Sequence, residues 1–366
     1  MASSSLFLEC ESTLDLGFAE DAPGWLLASR FFRSKLGGRP SWLDLKNIPS
    51  NEELTCKFCG KQLIFLLQIY APIETDPNCF HRVLFVFLCT DPKCHQDSNL
   101  PFKVLRSQLP RENEFFPKEP PVESPDWKPE LNASKYNQIC RASGLRAGKK
   151  CSGCGKVPYC CRENQTQDWK FRHKIECKNP DFSYKYNDNE ELLGKVTLPQ
   201  FEIVLCGDDE VISDSDDEKE VDEEKEMQKL KELQESGGTL TKEEISKFAS
   251  EDEVEMDRNF KRFQKVVKCA PDQVIRYQRL GNPLWISTKE VLKEEEIPCC
   301  EICGSKRVFE FQIMPQLLSI LKLDQNIDKQ SVDWGVLAIY TCEKSCTVDD
   351  DTKAYKNELI FKQMVS

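Results

Sequence analysis

The chain has 366 residues, 39% of them hydrophobic and 31% charged, enough for two or three domains at roughly 100–200 residues each. No apolar run approaches the ~18 residues of a membrane span; Val83 to Leu88 is the longest clean one. The opening MASSSLFLE lacks a basic n-region and meets Glu9 and Glu11 too early for a secretory signal, so a soluble, non-secreted chain in a reducing compartment is expected. There, nineteen cysteines, many in short pairs, point to zinc rather than to disulfides. With only His81, His95 and His173 available, most zinc sites would be thiolate-rich.

The net charge of −12 is concentrated. Residues 208–257 hold 21 acidic and 6 basic side chains, which leaves +3 for the rest of the chain. That distribution argues against direct nucleic-acid binding and for a basic protein partner.

In chain order, a first region contains Gly38-Arg-Pro40-Ser-Trp42-Leu43, then Cys56-x2-Cys59-Gly60, then Phe65 and Gln68-Ile69. An expected strand, Val83–Cys89, leads to the pair Cys89-x4-Cys94. Six prolines between 110 and 129 read as an extended linker. A cysteine cluster follows between 139 and 178, then a return segment with a strand near 196–205. Residues 207–226 carry almost no large apolar side chains and are expected to be disordered. Within them Ser213 and Ser215 stand among acidic residues, as in sites for acidophilic kinases. Thr241 and Glu244 suit a capping box, and Met256, Phe260, Phe263 and Val267 form one helical stripe.

The first region then recurs. Gly281-Asn-Pro283-Leu-Trp285-Ile286 precedes Cys300-x2-Cys303-Gly304, Phe309 and Gln312-Ile313, and a strand near Val336–Tyr340 leads to Cys342-x3-Cys346. In both copies the Phe lies six residues after the second cysteine and the Gln nine. A Cys-x2-Cys-Gly knuckle needs glycine for its positive φ, and a second pair brought back by a hairpin completes a tetrahedral four-sulfur zinc site. Cys56, Cys59, Cys89 and Cys94 are expected to hold one zinc, and Cys300, Cys303, Cys342 and Cys346 another, with His95 and Cys299 as spare candidates. A four-thiolate site leaves no open position for water. Redox chemistry would want a low-pKa thiol at a helix start, and three histidines leave little for acid–base work. No phosphate-binding glycine loop or nucleophile elbow is present. The expectation is a protein that is not an enzyme.

The central cluster reads Cys140, Cys151-x2-Cys154, Tyr159-Cys160-Cys161, Asp168-Trp169, His173-x3-Cys177. It resembles the MYND zinc finger, a module with two interleaved zinc sites. The resemblance implies one complete site from Cys151, Cys154, His173 and Cys177. It implies a lost or weak second site at Cys140 and Cys160, because Ser143 and Asn164 stand in the other two ligand positions, and with it a looser lobe around 140–150. Three zinc ions are therefore expected. MYND modules bind short proline-rich peptides, which makes such peptides possible partners.

Leu16-Gly17-Phe18, Gly37-Gly38-Arg39-Pro40-Ser-Trp42, Met256-Asp257-Arg258-x-Phe260-x-x-Phe263, Gln273-Val274-Ile275-Arg276-Tyr277 and Phe309–Leu317 extend the likeness. The whole chain resembles the programmed cell death protein 2 family. That resemblance implies a dedicated chaperone of a basic ribosomal protein, small-subunit protein two (the homologue of bacterial protein five), acting in cytoplasm and nucleus. The alternative is a MYND adaptor that recruits transcription or chromatin regulators.

The expected fold class is α+β: two duplicated zinc-ribbon-like, β-rich halves forming a pseudo-symmetric unit, or standing as independent beads, with a MYND finger projecting from the connection and an acidic disordered linker. The expected segments are 1–109, a zinc-ribbon-like repeat; 110–138, the proline-rich linker; 139–178, the MYND finger; 179–206, the return segment; 207–240, the acidic linker; and 241–366, the second repeat. An internally duplicated chain is expected to be a monomer. If the acidic segment screens a basic client, deleting 208–226 will lower client retention on the immobilised chain mainly at low salt. Equal loss at high and low salt would contradict that role.

Overall fold

The computed structural model describes residues 13–95, 99–126, 131–187, 197–208, 251–323, 331–347 and 353–364, with the backbone alone at 251–258. The acidic stretch, both serines and the capping box lie outside these residues or almost wholly so.

Ten strands close into one barrel. They are β1 (Asp15–Glu20), β2 (Lys35–Leu36), β3 (Ile64–Tyr70), β4 (His81–Leu88), β5 (Phe102–Leu109), β8 (Phe201–Gly207), β9 (Ile275–Tyr277), β10 (Arg307–Ile313), β11 (Val336–Cys342) and β12 (Lys356–Gln363). Their order around the barrel is β1-β8-β2-β3-β4-β5-β12-β11-β10-β9, and β9 closes back onto β1. The small sheet of β6 (Lys149–Lys150) and β7 (Pro158–Tyr159) belongs to the cysteine cluster, as do helices α1 (Arg162–Asp168) and α2 (Lys174–Glu176). Helices α3 (Glu251–Lys268) and α4 (Gln316–Ile320) are the other α-helices among the described residues. The chain is thus mostly β with few helices. The two regions do not stand as independent beads or as separate sheets: strands of both share one interior in a single closed sheet. Leu36, Leu67, Leu84 and Val86 pack there with Ile275, Phe311, Ile313, Leu337 and Ile339. Among the described residues no helix is long and apolar enough to cross a membrane.

The apolar run Val83–Leu88 has a simple cause. Every residue of β4 is buried. Leu84, Val86 and Leu88 face the barrel interior, whereas Val83, Phe85 and Phe87 face a second core outside it. Burial on both faces removes the usual polar alternation. β11 follows the same rule, with Leu337 and Ile339 inside and Val336, Ala338 and Tyr340 outside.

The spacing shared by the two regions also acquires a reason. Gln68 Oε1 accepts from the Ser41 amide at 2.9 Å, and Gln312 Oε1 accepts from the Leu284 amide at 2.6 Å. Each glutamine thus clamps its own Gly-x-Pro-x-Trp segment over the barrel wall. The register shifts at the same place in both copies, between Phe65 and Leu67 in β3 and between Phe309 and Phe311 in β10. Such a bulge bends a strand. Phe65 and Phe309 are turned to the outer cores.

Two expected features sit differently. The proline-rich stretch is no free linker: Phe115 and Phe116 are each only 5% exposed and belong to the outer core. The cysteine cluster does not project. Trp42 Nε1 donates to Gly144 O at 2.9 Å, and Arg39 donates to the carbonyls of Ala142 (3.3 Å), Asn187 (2.6 Å) and Arg141. Ala142 and Leu145 are fully buried, so the lobe expected to be loose is tightly packed. On α3, Phe263 packs against Ile286, Met314 and Val336, while Phe260 is half-exposed and Met256 lies outside the described side chains.

Two buried arginines cross between the regions. Arg82 on β4 makes a two-pronged pair with Glu310 on β10, at 2.5 and 2.7 Å, and both side chains are wholly buried. Thr341 and Tyr277 also donate to Glu310. Arg106 on β5 binds Glu358 on β12 at 2.6 Å, and Arg307 reaches the other oxygen at 3.3 Å. Burial alone would push the Glu310 carboxyl up, but the Arg82 and Arg279 guanidiniums hold it below its ordinary value. Its stabilisation is therefore complete above about pH 4.5, the ordinary value, and is lost as pH falls through the lowered one. Arg82→Met, which leaves a buried charge without its partner, should cost about 3–5 kcal/mol in denaturant titrations at pH 7. A cost below about 1 kcal/mol would show that the pair is not a lock.

Candidate metal centres

Four short loops have the same build. In each, a cysteine carbonyl accepts the amide of a glycine four residues on: Cys56 from Gly60 at 2.9 Å, Cys300 from Gly304 at 2.9 Å, Cys151 from Gly155 at 2.8 Å and Cys140 from Gly144 at 3.0 Å. The four glycines have φ between 65° and 72°, a region that favours glycine because it lacks Cβ.

Three of these loops each meet a second ligand pair. Cys56 and Cys59 meet Cys89, which follows β4, and Cys94 in the turn Pro92–His95; Cys300 and Cys303 meet Cys342 at the end of β11 and Cys346. Cys151 and Cys154 meet His173 and Cys177. In each set the four ligand atoms lie within 4.8 Å of one another. Closer pairs include Cys59–Cys89 at 3.6 Å, Cys89–Cys94 at 3.8 Å, Cys303–Cys342 at 3.5 Å, Cys300–Cys346 at 3.6 Å and Cys151–Cys177 at 3.8 Å. A tetrahedron with Zn–S bonds of ~2.3 Å has edges of about 3.8 Å, so these donor sets fit zinc. Such a four-ligand ion would tie loop to hairpin and leave no position for substrate. The spare candidates do not join: His95 Nε2 lies 2.6 Å from the Cys89 carbonyl oxygen, and Cys299 is exposed outside its cluster.

His173 sits in a wide turn, Trp169–His173, between α1 and α2. Its Nε2 faces Cys154 Sγ at 3.5 Å, and its Nδ1 faces Glu176 Oε2 at 3.4 Å. A carboxylate behind a ligating imidazole fixes the ring and its tautomer. Glu176 is held by Arg141 at 2.5 and 3.0 Å and by Arg172 at 3.1 Å. Burial would raise its carboxyl, and Arg141 and Arg172 hold it below the ordinary value. Sequence reasoning missed Glu176, although its place three residues after the histidine on a helix was the available signal. The Asp168-Trp169 pair also has a structural role: Tyr159 donates to the buried Asp168 carboxylate at 2.5 Å, and the Trp169 ring meets that of His173 edge-on, with centroids 5.9 Å apart.

The fourth loop has the form of a metal centre without its donors. Cys140 and Cys160, both expected as possible ligands, meet Ser143 and Asn164. Ser143 Oγ lies 3.3 Å from Cys160 Sγ, and Asn164 Nδ2 lies 3.1 Å from the same sulfur and 3.9 Å from Cys140 Sγ. Cys161 caps α1 by accepting from the Asn164 amide at 3.5 Å. The hydrogen bonds of a hydroxyl and an amide thus occupy the place of an ion, and Cys140 and Cys160 do not join a cation site among the described residues.

His81 is accounted for by packing. It stacks on Phe32 at 4.0 Å and faces Tyr70 OH at 3.1 Å, and burial pushes its pKa down to about 4, helped by Arg30 and Arg111.

Sequence profiles of the N-terminal and C-terminal domains of programmed cell death protein 2 match residues 13–123 and 257–364, and that of the MYND finger matches 137–177. The chain is 40% identical to programmed cell death protein 2 of Bos taurus over 98% of both chains. The chain belongs to the programmed cell death protein 2 family. Within that family it is also 29% identical to the Homo sapiens programmed cell death protein 2-like protein, over 86% of this chain and 85% of that one. A Schizosaccharomyces pombe protein named "Probable 20S rRNA accumulation protein 4" is 25% identical over 89% of this chain and 91% of its own. No solved structure matches.

Elemental analysis of the purified chain should find three zinc ions per molecule. The double variant Ser143→Cys with Asn164→Cys should raise that to four, because the fourth loop already has the backbone of the other three. Three zinc ions in the variant would show that the loop is not so arranged.

Proposed function

We propose that this family member is a chaperone for a basic small-subunit ribosomal protein, small-subunit protein two, and supports assembly of the small ribosomal subunit in cytoplasm and nucleus. The observation that supports a role in ribosome assembly is the relationship, over 89% of this chain, to a protein named for 20S rRNA accumulation; the client is what the family resemblance implies. The chain's own chemistry is consistent with it. A free ribosomal protein is strongly basic and needs its RNA-binding surface covered, and this chain concentrates its negative charge in one segment. The candidate metal centres brace loops, and the three histidines are engaged in packing or in a ligand set; we assign the chain no catalytic step and one client.

A second reading has one observation in its favour. Phe171 and Ile175, four residues apart beside the histidine of the MYND module, are 41% and 79% exposed, an apolar pair that a proline-rich peptide could cover.

Mass spectrometry of proteins retained by the full chain from eukaryotic cells separates the two. The chaperone reading expects one near-stoichiometric ribosomal protein, kept by a Phe171→Ser, Ile175→Ser variant. Proline-rich regulators lost in that variant, with no ribosomal protein on either form, would replace it with the adaptor.

A further inference from the structure

The barrel is closed between β5 and β12 by only three residue pairs, Lys356–Arg106, Asn357–Leu105 and Glu358–Val104. β12 continues for five residues to Gln363 and stays paired with β11 throughout, from Leu359–Tyr340 to Gln363–Val336. On its other side no strand pairs with those residues among the described ones. Among the described residues the next backbone hydrogen bond on that edge beyond Glu358 goes to a side chain: the Lys362 amide donates to Asn99 Oδ1 at 2.7 Å. Ladder bonds alternate from one neighbour to the other along a strand, so Ile360, between Glu358 and Lys362, turns its backbone groups to this open side.

The parted strands leave a cleft of about 920 Å³. Its floor is Phe102, Lys103 and Val104 of β5 with Leu359, Ile360 and Phe361 of β12. Its rim carries the exposed carboxylates of Glu52, Glu53, Glu290, Glu296 and Glu301 against one exposed lysine, Lys57. Lys103 is half-buried, and burial lowers its pKa; Lys362, the third lysine of the lining, is buried with its ammonium donating to the His95 carbonyl. Glu358 is engaged with Arg106 and Arg307. Lys57 and Glu301 come from the two Cys-x2-Cys loops, whose next residues, Phe58 and Ile302, are 62% and 43% exposed. Apolar floor, open strand edge and acidic rim coincide in one place.

We infer that this cleft takes an extended segment rich in lysine and arginine, added as a strand along β12. Main-chain bonds to the backbone of Ile360 fix the segment irrespective of sequence, alternate side chains enter the apolar floor, and the others meet the glutamates. That the segment belongs to the ribosomal client rests on the function proposed above. An acidic or purely apolar segment does not suit the rim. An RNA strand is excluded by the same charge.

The test uses the full chain and two labelled ten-residue peptides, one alternating lysine with valine and one alternating glutamate with valine. The lysine peptide should bind at 50 mM salt, and the glutamate peptide should not. Glu52→Gln, Glu53→Gln, Glu290→Gln and Glu301→Gln together should weaken it at least tenfold with the melting temperature unchanged. The same change at Glu74, Glu112, Glu114 and Glu163, exposed elsewhere, should leave it within twofold. Equal loss in both sets, or binding of the glutamate peptide, overturns the groove. For the client, a photo-crosslinking residue at Leu100 or Asn357, both in the cleft wall, should capture the ribosomal protein. A client that is retained but captured only at sites outside the cleft overturns the proposal and leaves the chaperone reading standing. Lysine-peptide binding that is lost in the rim variant, from a chain that retains no ribosomal protein, upholds the groove and removes the chaperone reading.

Discussion

Two carboxylates buried in the C-terminal region find their countercharges in the N-terminal one, and closure of the barrel depends on this. Glu310 is met by Arg82 and Glu358 by Arg106. A carboxylate removed from water without enough countercharge costs several kcal/mol, and although Arg279 and Arg307 of the C-terminal region also reach Glu310 and Glu358, the closest charge pairs are the ones made across the two regions. Three backbone pairs between β5 and β12 would be a weak seam. The arginines make it a firm one at one end, while the other end remains open.

The same groups reach the candidate metal centres. Glu358 Oε2 accepts the Cys342 amide at 3.0 Å, and Arg106 donates to the Cys346 carbonyl at 3.2 Å. The C-terminal ligand set is therefore fastened to the lock through its own backbone. On the other side, Tyr355, just before β12, accepts from the Leu43 amide and donates to the Asp44 carbonyl. This anchors the Gly-Arg-Pro-Ser-Trp segment, and with it Trp42 and the MYND module beyond. Metal centres, seam and module form one connected set of contacts.

What could be read in the sequence was what short spacing encodes. A Cys-x2-Cys-Gly loop carries its conformation within five residues, and all twelve residues that the structure brings into three clusters were legible as candidates. The recurring Gly-x-Pro-x-Trp and Gln positions were legible too, and their hydrogen bonds explain the spacing. The closed barrel was not. Its deciding contacts join residues more than 200 apart, and β2 and β9, at two and three residues, are too short to show a period. The proline count of 110–129 concealed Phe115 and Phe116, whose burial pins that stretch to the outer core. Ser143 and Asn164 were legible as lost ligands, but a lost ligand does not reveal that hydrogen bonds to Cys160 take its place.

The central claim is that both regions form one cooperative body. Native-state hydrogen exchange across a denaturant series, resolved on the amides of β4 and β11, tests it most directly. Contiguous units that open together share one free energy and one denaturant dependence. β4 and β11 should open together, at the global free energy of unfolding. Loss of protection in one strand while the other keeps its full value would contradict it and return the two regions to independent domains.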